Sequence, residues 1–268
     1  MTTPPRRPRL ALPFTILTER DTVRLVAGED FRYTLTGPGL DGWLPAWLAG
    51  LDGRTLLAEA IARLPEAHRA AARQLADQLY GERVLIDGAA SDAHTPAQVR
   101  LVPDGSAAWA IEWKPLGAGR PLPAFCQDRL DYEEALCFNC RCLDAGTAWL
   151  WASTGPMGRA YVSPLFLPDA GPCLSCLLNH FRRLSPAPEL YDALTAHARG
   201  GGEVVPVAFP EPGIAIVQQL LLWKAALAAE PEPSSALYRL HVVESAPLEV
   251  TWHRVFVDPE CPDCRSRR

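Results

Sequence analysis

The apolar pattern changes period along the 268-residue chain. Residues 14–17, 22–26 and 31–35 have strand-type composition, and the polar turns Glu19-Arg20-Asp21 and Gly28-Glu29-Asp30 separate them. The spacing then becomes helical. Asp41 can cap a helix over 43–48, whose opening turn tolerates Pro45, and Trp43 and Trp47 stand four apart on its inner face. Asp52-Gly53 breaks the chain. Leu57, Ile61 and Leu64 predict an amphipathic helix over 55–64, and Ala71, Leu75 and Leu79 predict another over 66–80. Gly81 ends that helix, and 84–86 form a short strand. Residues 11–88 therefore make an α+β, winged-helix-like module behind a Pro- and Arg-rich segment, 1–10, expected to be a disordered tail.

Residues 89–106 have linker composition with a short strand at 99–102. A second domain, of α/β type, follows over 107–268. Its expected elements are a strand at 107–113, a Gly- and Pro-rich loop at 116–123, and a helix at 130–142 with Tyr132, Ala135 and Leu136 inward. Buried strands at 147–152 and 159–163 follow, then a helix at 189–198. Residues 214–227 form a long helix, apolar on most sides, which suits deep burial or a homodimer interface. Two antiparallel strands, 237–243 and 248–257, complete the pattern.

Composition narrows the function. A hydrophobic fraction of 48% supports a proper core, and the net charge of −5 gives no general nucleic-acid footprint. Over residues 1–90 eleven arginines and no lysine balance eleven acidic residues, and Arg69 and Arg73 share their helix with Glu66 and Asp77. Binding DNA takes several phosphate contacts, so a winged-helix transcription regulator is disfavoured. Gln218, Gln219 and Lys224 interrupt the most apolar run, so no membrane span is expected. The first residues lack a signal-peptide pattern. Eight cysteines in such a chain suggest a reducing cytoplasm.

Four of those cysteines stand as two distant pairs, Cys173-Leu174-Ser175-Cys176 and Cys261-Pro262-Asp263-Cys264. Two such turns supply the thiolates of a tetrahedral Zn2+ site, and four protein ligands leave no open position, so the metal would be structural. A redox motif usually needs one CxxC at a helix start, so two matched pairs favour metal. Cys126, Cys137, Cys140 and Cys142 remain; Cys137 and Cys140 form a third CxxC with Cys142 close by, which leaves a second metal site open. The six histidines are scattered. His180, four residues after Cys176, suits either a place beside the metal ligands or the surface. No Ser/His/Asp set can be assembled from sequence order.

Residues 107–264 resemble the back half of the ubiquitin-activating-enzyme-like, ThiF/MoeB-type fold. Asn139-Cys140-Arg141-Cys142-Leu143 before a turn and a strand is similar to that family's Asn-x-x-Cys stretch. Gly155-Pro156-Met157-Gly158-Arg159 resembles its hairpin, and Gly171-Pro172 before the first CxxC resembles its Pro ahead of Cys-x-x-Cys. The front half of the fold is missing. The nearest Gly-rich candidate, Gly117-Ala118-Gly119-Arg120, is followed by Pro121 and Pro123, and Lys114 is isolated. A helix N-terminus cradling triphosphate is therefore not expected, nor is ATP. A ThiF-type adenylating enzyme with a degenerate nucleotide site is the rival.

A winged-helix module ahead of a reduced, zinc-bearing ThiF-type domain resembles the ocin-ThiF-like partner proteins of azole-forming peptide biosynthesis. Leu51-Asp52-Gly53-Arg54-Thr55-Leu56 is similar to their RiPP recognition element between its first two helices. The resemblance implies a non-catalytic protein that grips the leader of a ribosomally made precursor and presents its core to a YcaO-type cyclodehydratase. The leader would add as a strand to 31–35 and lie against helix 66–80. The implied contacts are Phe31, Arg32, Tyr33, Thr34, Leu35, Arg69, Arg73 and Tyr80, with Leu75 and Leu79 as pocket walls or plain core.

Overall fold

The computed structural model describes residues 5–88, 98–102, 108–111 and 122–264. Its residues group into two units, 1–27 with 31–95, and 28–30 with 96–268.

The first unit contains β1 (Pro8–Leu10), β2 (Thr15–Glu19), β3 (Thr22–Ala27), β4 (Phe31–Thr36), α1 (Leu44–Ala49), α2 (Leu57–Ala62), α3 (Glu66–Gly81) and β5 (Leu85–Asp87). Strands β2, β3 and β4 form an antiparallel sheet with β3 central. Val23, Leu25 and Leu35 from the sheet pack with Leu44, Leu48, Ile61 and Leu79 from the helices. Trp43 and Trp47 are buried, as their spacing predicts, with ring centroids 6.1 Å apart. The inner stripe of α3 is Ala72, Ala76 and Leu79; Ala71 is exposed and Leu75 half-buried. Two alanines let the helix axis approach closely, a packing choice that apolar periodicity alone did not single out.

Two expectations fail here, and a third residue does more than was expected of it. Residues 5–10 are not a disordered tail: β1 pairs antiparallel with β5, Pro8 opposite Asp87 and Leu10 opposite Leu85. Arg6 and Pro8 carbonyls also accept from the Leu57 and Gly53 amides at 3.0 and 2.9 Å. Residues far apart in sequence supply these partners, so local composition could not reveal them. Asp41 does not cap α1; its carboxylate accepts from the Asp21 amide at 3.1 Å. Asp52, treated only as part of a chain break, accepts from the amides of Arg54 and Thr55 at 2.8 Å each. These bonds hold its carboxyl below the usual range.

The second unit contains β6 (Gln98–Val99), β7 (Ala108–Ile111), β8 (Leu122–Gln127), α4 (Tyr132–Asp144), β9 (Leu150–Ser153), β10 (Arg159–Val162), α5 (Leu174–Leu184), α6 (Glu189–Arg199), β11 (Phe209–Pro210), α7 (Glu211–Ala228), β12 (Arg239–Glu244) and β13 (Val250–Arg254). Its sheet runs β13-β12-β10-β9-β8-β7. Only the β8–β9 pair, joined through α4, is parallel among these neighbours, as a helical crossover allows. The expected loop at 116–123 ends early, because Leu122 and Pro123 open β8; residues 116–121 lie outside the described residues. Ala124, Phe125 and Cys126 are almost wholly buried, an apolar run too short to stand out beside two prolines. The supposed linker is also partly built in: β6 pairs with β11, and Leu101 and Val102 join the core.

Helix α7 packs Ile214, Val217, Leu221 and Ala225 with sheet residues such as Leu150, Val162 and Val243. Gly213 is required at its start, since a Cβ there would lie 2.4 Å from the Phe209 ring. Leu222 and Trp223 stay exposed. Among the described residues no helix is long and apolar enough to cross a membrane.

Lys224 lies on the buried face of α7 with 0% of its surface exposed. Its ammonium donates to the carbonyls of Ser163 (2.6 Å), Arg239 (2.5 Å) and Leu237 (3.4 Å). Burial lowers its pKa from 10.5 to about 7. Between these values the unfolded chain binds more protons than the folded one, so this group makes stability rise with pH. Lys224→Met should flatten that rise in urea-unfolding series from pH 7 to 10; an unchanged slope would contradict the assignment.

Candidate functional site

Helix α5 starts at the first cysteine pair. Cys173 stands at its N-cap with extended backbone, and Cys176 lies in its first turn. Cys261 and Cys264 lie on the turn that follows β13. All four are buried, and their sulfurs lie within 4.8 Å of one another. The separations are 3.8 Å for Cys173–Cys176, 3.5 Å for Cys173–Cys261 and 3.6 Å for Cys176–Cys264. A tetrahedron of thiolates about 2.3 Å from a central cation has edges of about 3.8 Å. The four sulfurs therefore fit a metal ion, and the set could hold one.

A polar frame holds the two cysteine turns together. The Asn139 amide on α4 accepts from the Leu174 N–H at 3.1 Å and donates to the Asp263 carboxylate at 3.2 Å. Ser175, inside the first pair, also donates to Asp263, inside the second. The Asp258 N–H donates to Cys176 Sγ at 3.4 Å. The Asp258 carboxylate accepts from the Glu260 N–H (3.0 Å), Asn179 (2.8 Å) and Arg183 (2.9 Å), which hold its carboxyl below the usual range. A hydrogen bond from Cys173 and the Asp258 N–H draw Cys176 down to about 5. The same S–H···S hydrogen bond, with burial, pushes Cys173 up, and burial pushes Cys264 up to about 12. Four thiolates this close repel one another, and a bound cation would remove that cost.

The sequence motif led to Asn139 through its Asn-x-x-Cys spacing but did not assign it this bridge. Asp258, Asn179 and Ser175 carried no signal of their own, because their partners lie some 75–88 residues away. The placing of the first CxxC at a helix start matches the redox pattern that the matched pairs were held to disfavour; the second pair arriving at 3.5–3.6 Å is what redox use does not require. His180 is not a ligand, and its ring pairs with the Phe256 carbonyl at 3.0 Å. Cys137, Cys140 and Cys142 are not gathered into one cluster. Among the described residues the four-cysteine set is the one group of three or more metal-type ligands. Gly117–Arg120 and Lys114 lie outside the described residues.

The second unit also buries a carboxylate that sequence reading treated as a turn residue. Glu29 accepts from the hydroxyls of Tyr132 (3.2 Å), Tyr161 (3.1 Å) and Tyr191 (3.0 Å). Burial raises its pKa, and the three tyrosines and Arg159 oppose that rise.

The residues expected at a peptide edge divide by environment. Among the described residues β4 pairs with β3 on one side and with no strand on the other. Phe31 is 43% exposed. Thr34 and Arg73 are exposed, and Arg32, Tyr33 and Tyr80 are half-buried. The Tyr33 hydroxyl reaches the Glu82 carbonyl at 3.4 Å. Two candidates are engaged elsewhere. The Leu35 side chain is buried in the core, so that residue can offer only backbone. Arg69 donates to the Leu64 and Ala62 carbonyls at 2.9 and 3.0 Å, closing the C-terminal end of α2.

Asn139→Ala should leave the four sulfurs in place but lower metal affinity about 10- to 100-fold, as loss of a partner behind the ligands does in other sites. Competition with a chromophoric chelator, with atomic emission for stoichiometry, measures this. Wild-type affinity in the variant would show that the bridge does not orient the ligands.

No family model matches the chain, and no curated protein does. Solved structures give loose likenesses. A heterocyclase in complex with substrate and cofactor is 14% identical with a TM-score of 0.42, over 96% of this chain and 39% of that one. The heterocyclase TruD is 16% identical with a TM-score of 0.39, over 97% of this chain and 43% of that one. The E. coli microcin synthetase McbBCD complex is 12% identical with a TM-score of 0.42, over 95% and 99% of the two chains. The chain thus spans about two fifths of the length of the two heterocyclases, and no residue role follows from likenesses this distant.

Proposed function

We propose that this chain is a non-catalytic binding protein whose first unit takes an extended leader segment of a ribosomally made precursor along β4. On this proposal it delivers the rest of the peptide to a separate, YcaO-type cyclodehydratase that uses ATP. The observation that carries the proposal is the open side of β4: an edge strand presents N–H and C=O groups that an extended guest can pair. Phe31 offers an apolar anchor beside that edge, and Arg73 offers a cation to an acidic guest. Exposed ion pairs contribute about 0–1 kcal/mol, so main-chain pairing and apolar contact would supply most of the affinity.

In the same proposal the four cysteines hold a structural Zn2+. A closed, buried tetrathiolate suits zinc and leaves no position for water or substrate. Its role is to tie the start of α5 to the chain after β13.

Fluorescence anisotropy with a labelled leader peptide tests the function. Phe31→Ala should weaken binding about tenfold through lost apolar burial, and Arg73→Ala up to about fivefold. Raising salt should reduce only the Arg73-dependent part. Arg69→Ala should lower the unfolding midpoint through α2 and leave affinity nearly unchanged. Unaltered affinity in both Phe31→Ala and Arg73→Ala would place the peptide elsewhere.

A further inference from the structure

Six of the eight cysteines are buried. Four make the set that could hold a metal ion, and Cys126 and Cys142 are buried thiols that burial pushes up to about 12 and about 11. Such thiols are inert. Cys137 and Cys140 differ, since both are exposed. They stand three residues apart within α4, which puts their Cβ atoms about 5–6 Å apart on one face. Both line a cavity of about 570 Å³ walled by α4, α5, α6 and, through Pro262 and Asp263, the turn that carries Cys261 and Cys264.

One turn before Cys137, Glu133 places a carboxylate oxygen 4.0 Å from the Cys137 sulfur. Arg199 holds that carboxylate at 2.7 and 3.2 Å. Arg141 and Arg199 line the same cavity. The wall thus combines two accessible thiols, a fixed hydrogen-bond acceptor beside one of them, and the Arg141 guanidinium, with Arg199 and Arg182 already paired to Glu133 and Asp192.

We propose that Cys137 and Cys140 form a second site, separate from the four-cysteine centre, for a soft closed-shell cation of the Cu(I) class. Soft thiolates select such ions. Two sulfurs satisfy a linear two-coordinate cation but leave zinc short of its four ligands. Binding replaces two S–H protons by one monovalent cation, which leaves the pair with one net negative charge beside Arg141, since Glu133 already matches the charge of Arg199. The open cavity admits an external thiol, so the ion can exchange, whereas the buried four-cysteine set excludes such access. The site does not depend on the leader-binding proposal.

The test is an anaerobic titration of the metal-loaded full chain with Cu(I), in competition with a chromophoric Cu(I) chelator, while release of the resident metal is followed by atomic emission. Wild type should take one Cu(I) per chain and keep its resident metal. Cys137→Ser and Cys140→Ser should each weaken binding at least tenfold, and the double variant should take none before the resident metal begins to leave. Copper should also protect these two thiols of the wild type from alkylation, read by mass spectrometry, a measurement that needs no variant to fold. An undiminished first equivalent in the double variant, ejection of the resident metal by the first copper, or unprotected thiols would each overturn the proposal.

Discussion

The organisation of the second unit depends on the contact between two cysteine turns 88 residues apart in sequence. Three polar side chains prepare that contact. Asn139 fixes the start of α5 through its amide and Asp263 through its carboxylate, and Ser175 adds a second bond to the same carboxylate. Asn139 and Ser175 are buried, so an unmet partner there would cost about 1–3 kcal/mol. The sulfurs are thus brought together by a satisfied network, and the strongest electrostatic demand in the unit is concentrated where a cation can meet it.

Much of this was visible in the sequence. The two CxxC pairs, the long apolar helix and the β12–β13 hairpin announce themselves through spacing and period. What the sequence concealed has physical causes. Strand β8 is a short apolar run beside Pro123 and paired with β9 in parallel, so neither alternation nor a tight turn marks it. Strand β1 is held by β5, about 80 residues away, and its Pro and Arg composition looks like a tail until that partner is known. Glu29 sits in a polar turn by sequence and under three tyrosine hydroxyls in space. The arginines expected beside the peptide edge show a similar limit. Arg69 and Arg73 are equivalent by helical position, yet one is spent on the end of α2.

Two kinds of buried charge coexist in the second unit and are handled differently. Among the described residues the Lys224 ammonium meets three backbone carbonyls and no carboxylate, so its three N–H groups are matched by neutral acceptors. Glu29 likewise meets three neutral hydroxyls. Both are anchored by hydrogen bonds from or to neutral groups, with Arg159 adding a favourable charge near Glu29, which fixes direction strongly while leaving a desolvation cost. Such groups hold strands and helices in one arrangement at the expense of raw stability.

The wide separation of the ligand pairs has a kinetic consequence. Helix α5 can form from local contacts within microseconds, and it already carries half of the donor set. The remaining half must come from 88 residues further along the chain, so joining it to the first requires closure of a long, non-local loop. A nascent chain therefore passes through an interval in which two thiols at a young helix end are open to oxidants and stray ions, and the arrival of the distant second pair sets how long that exposure lasts.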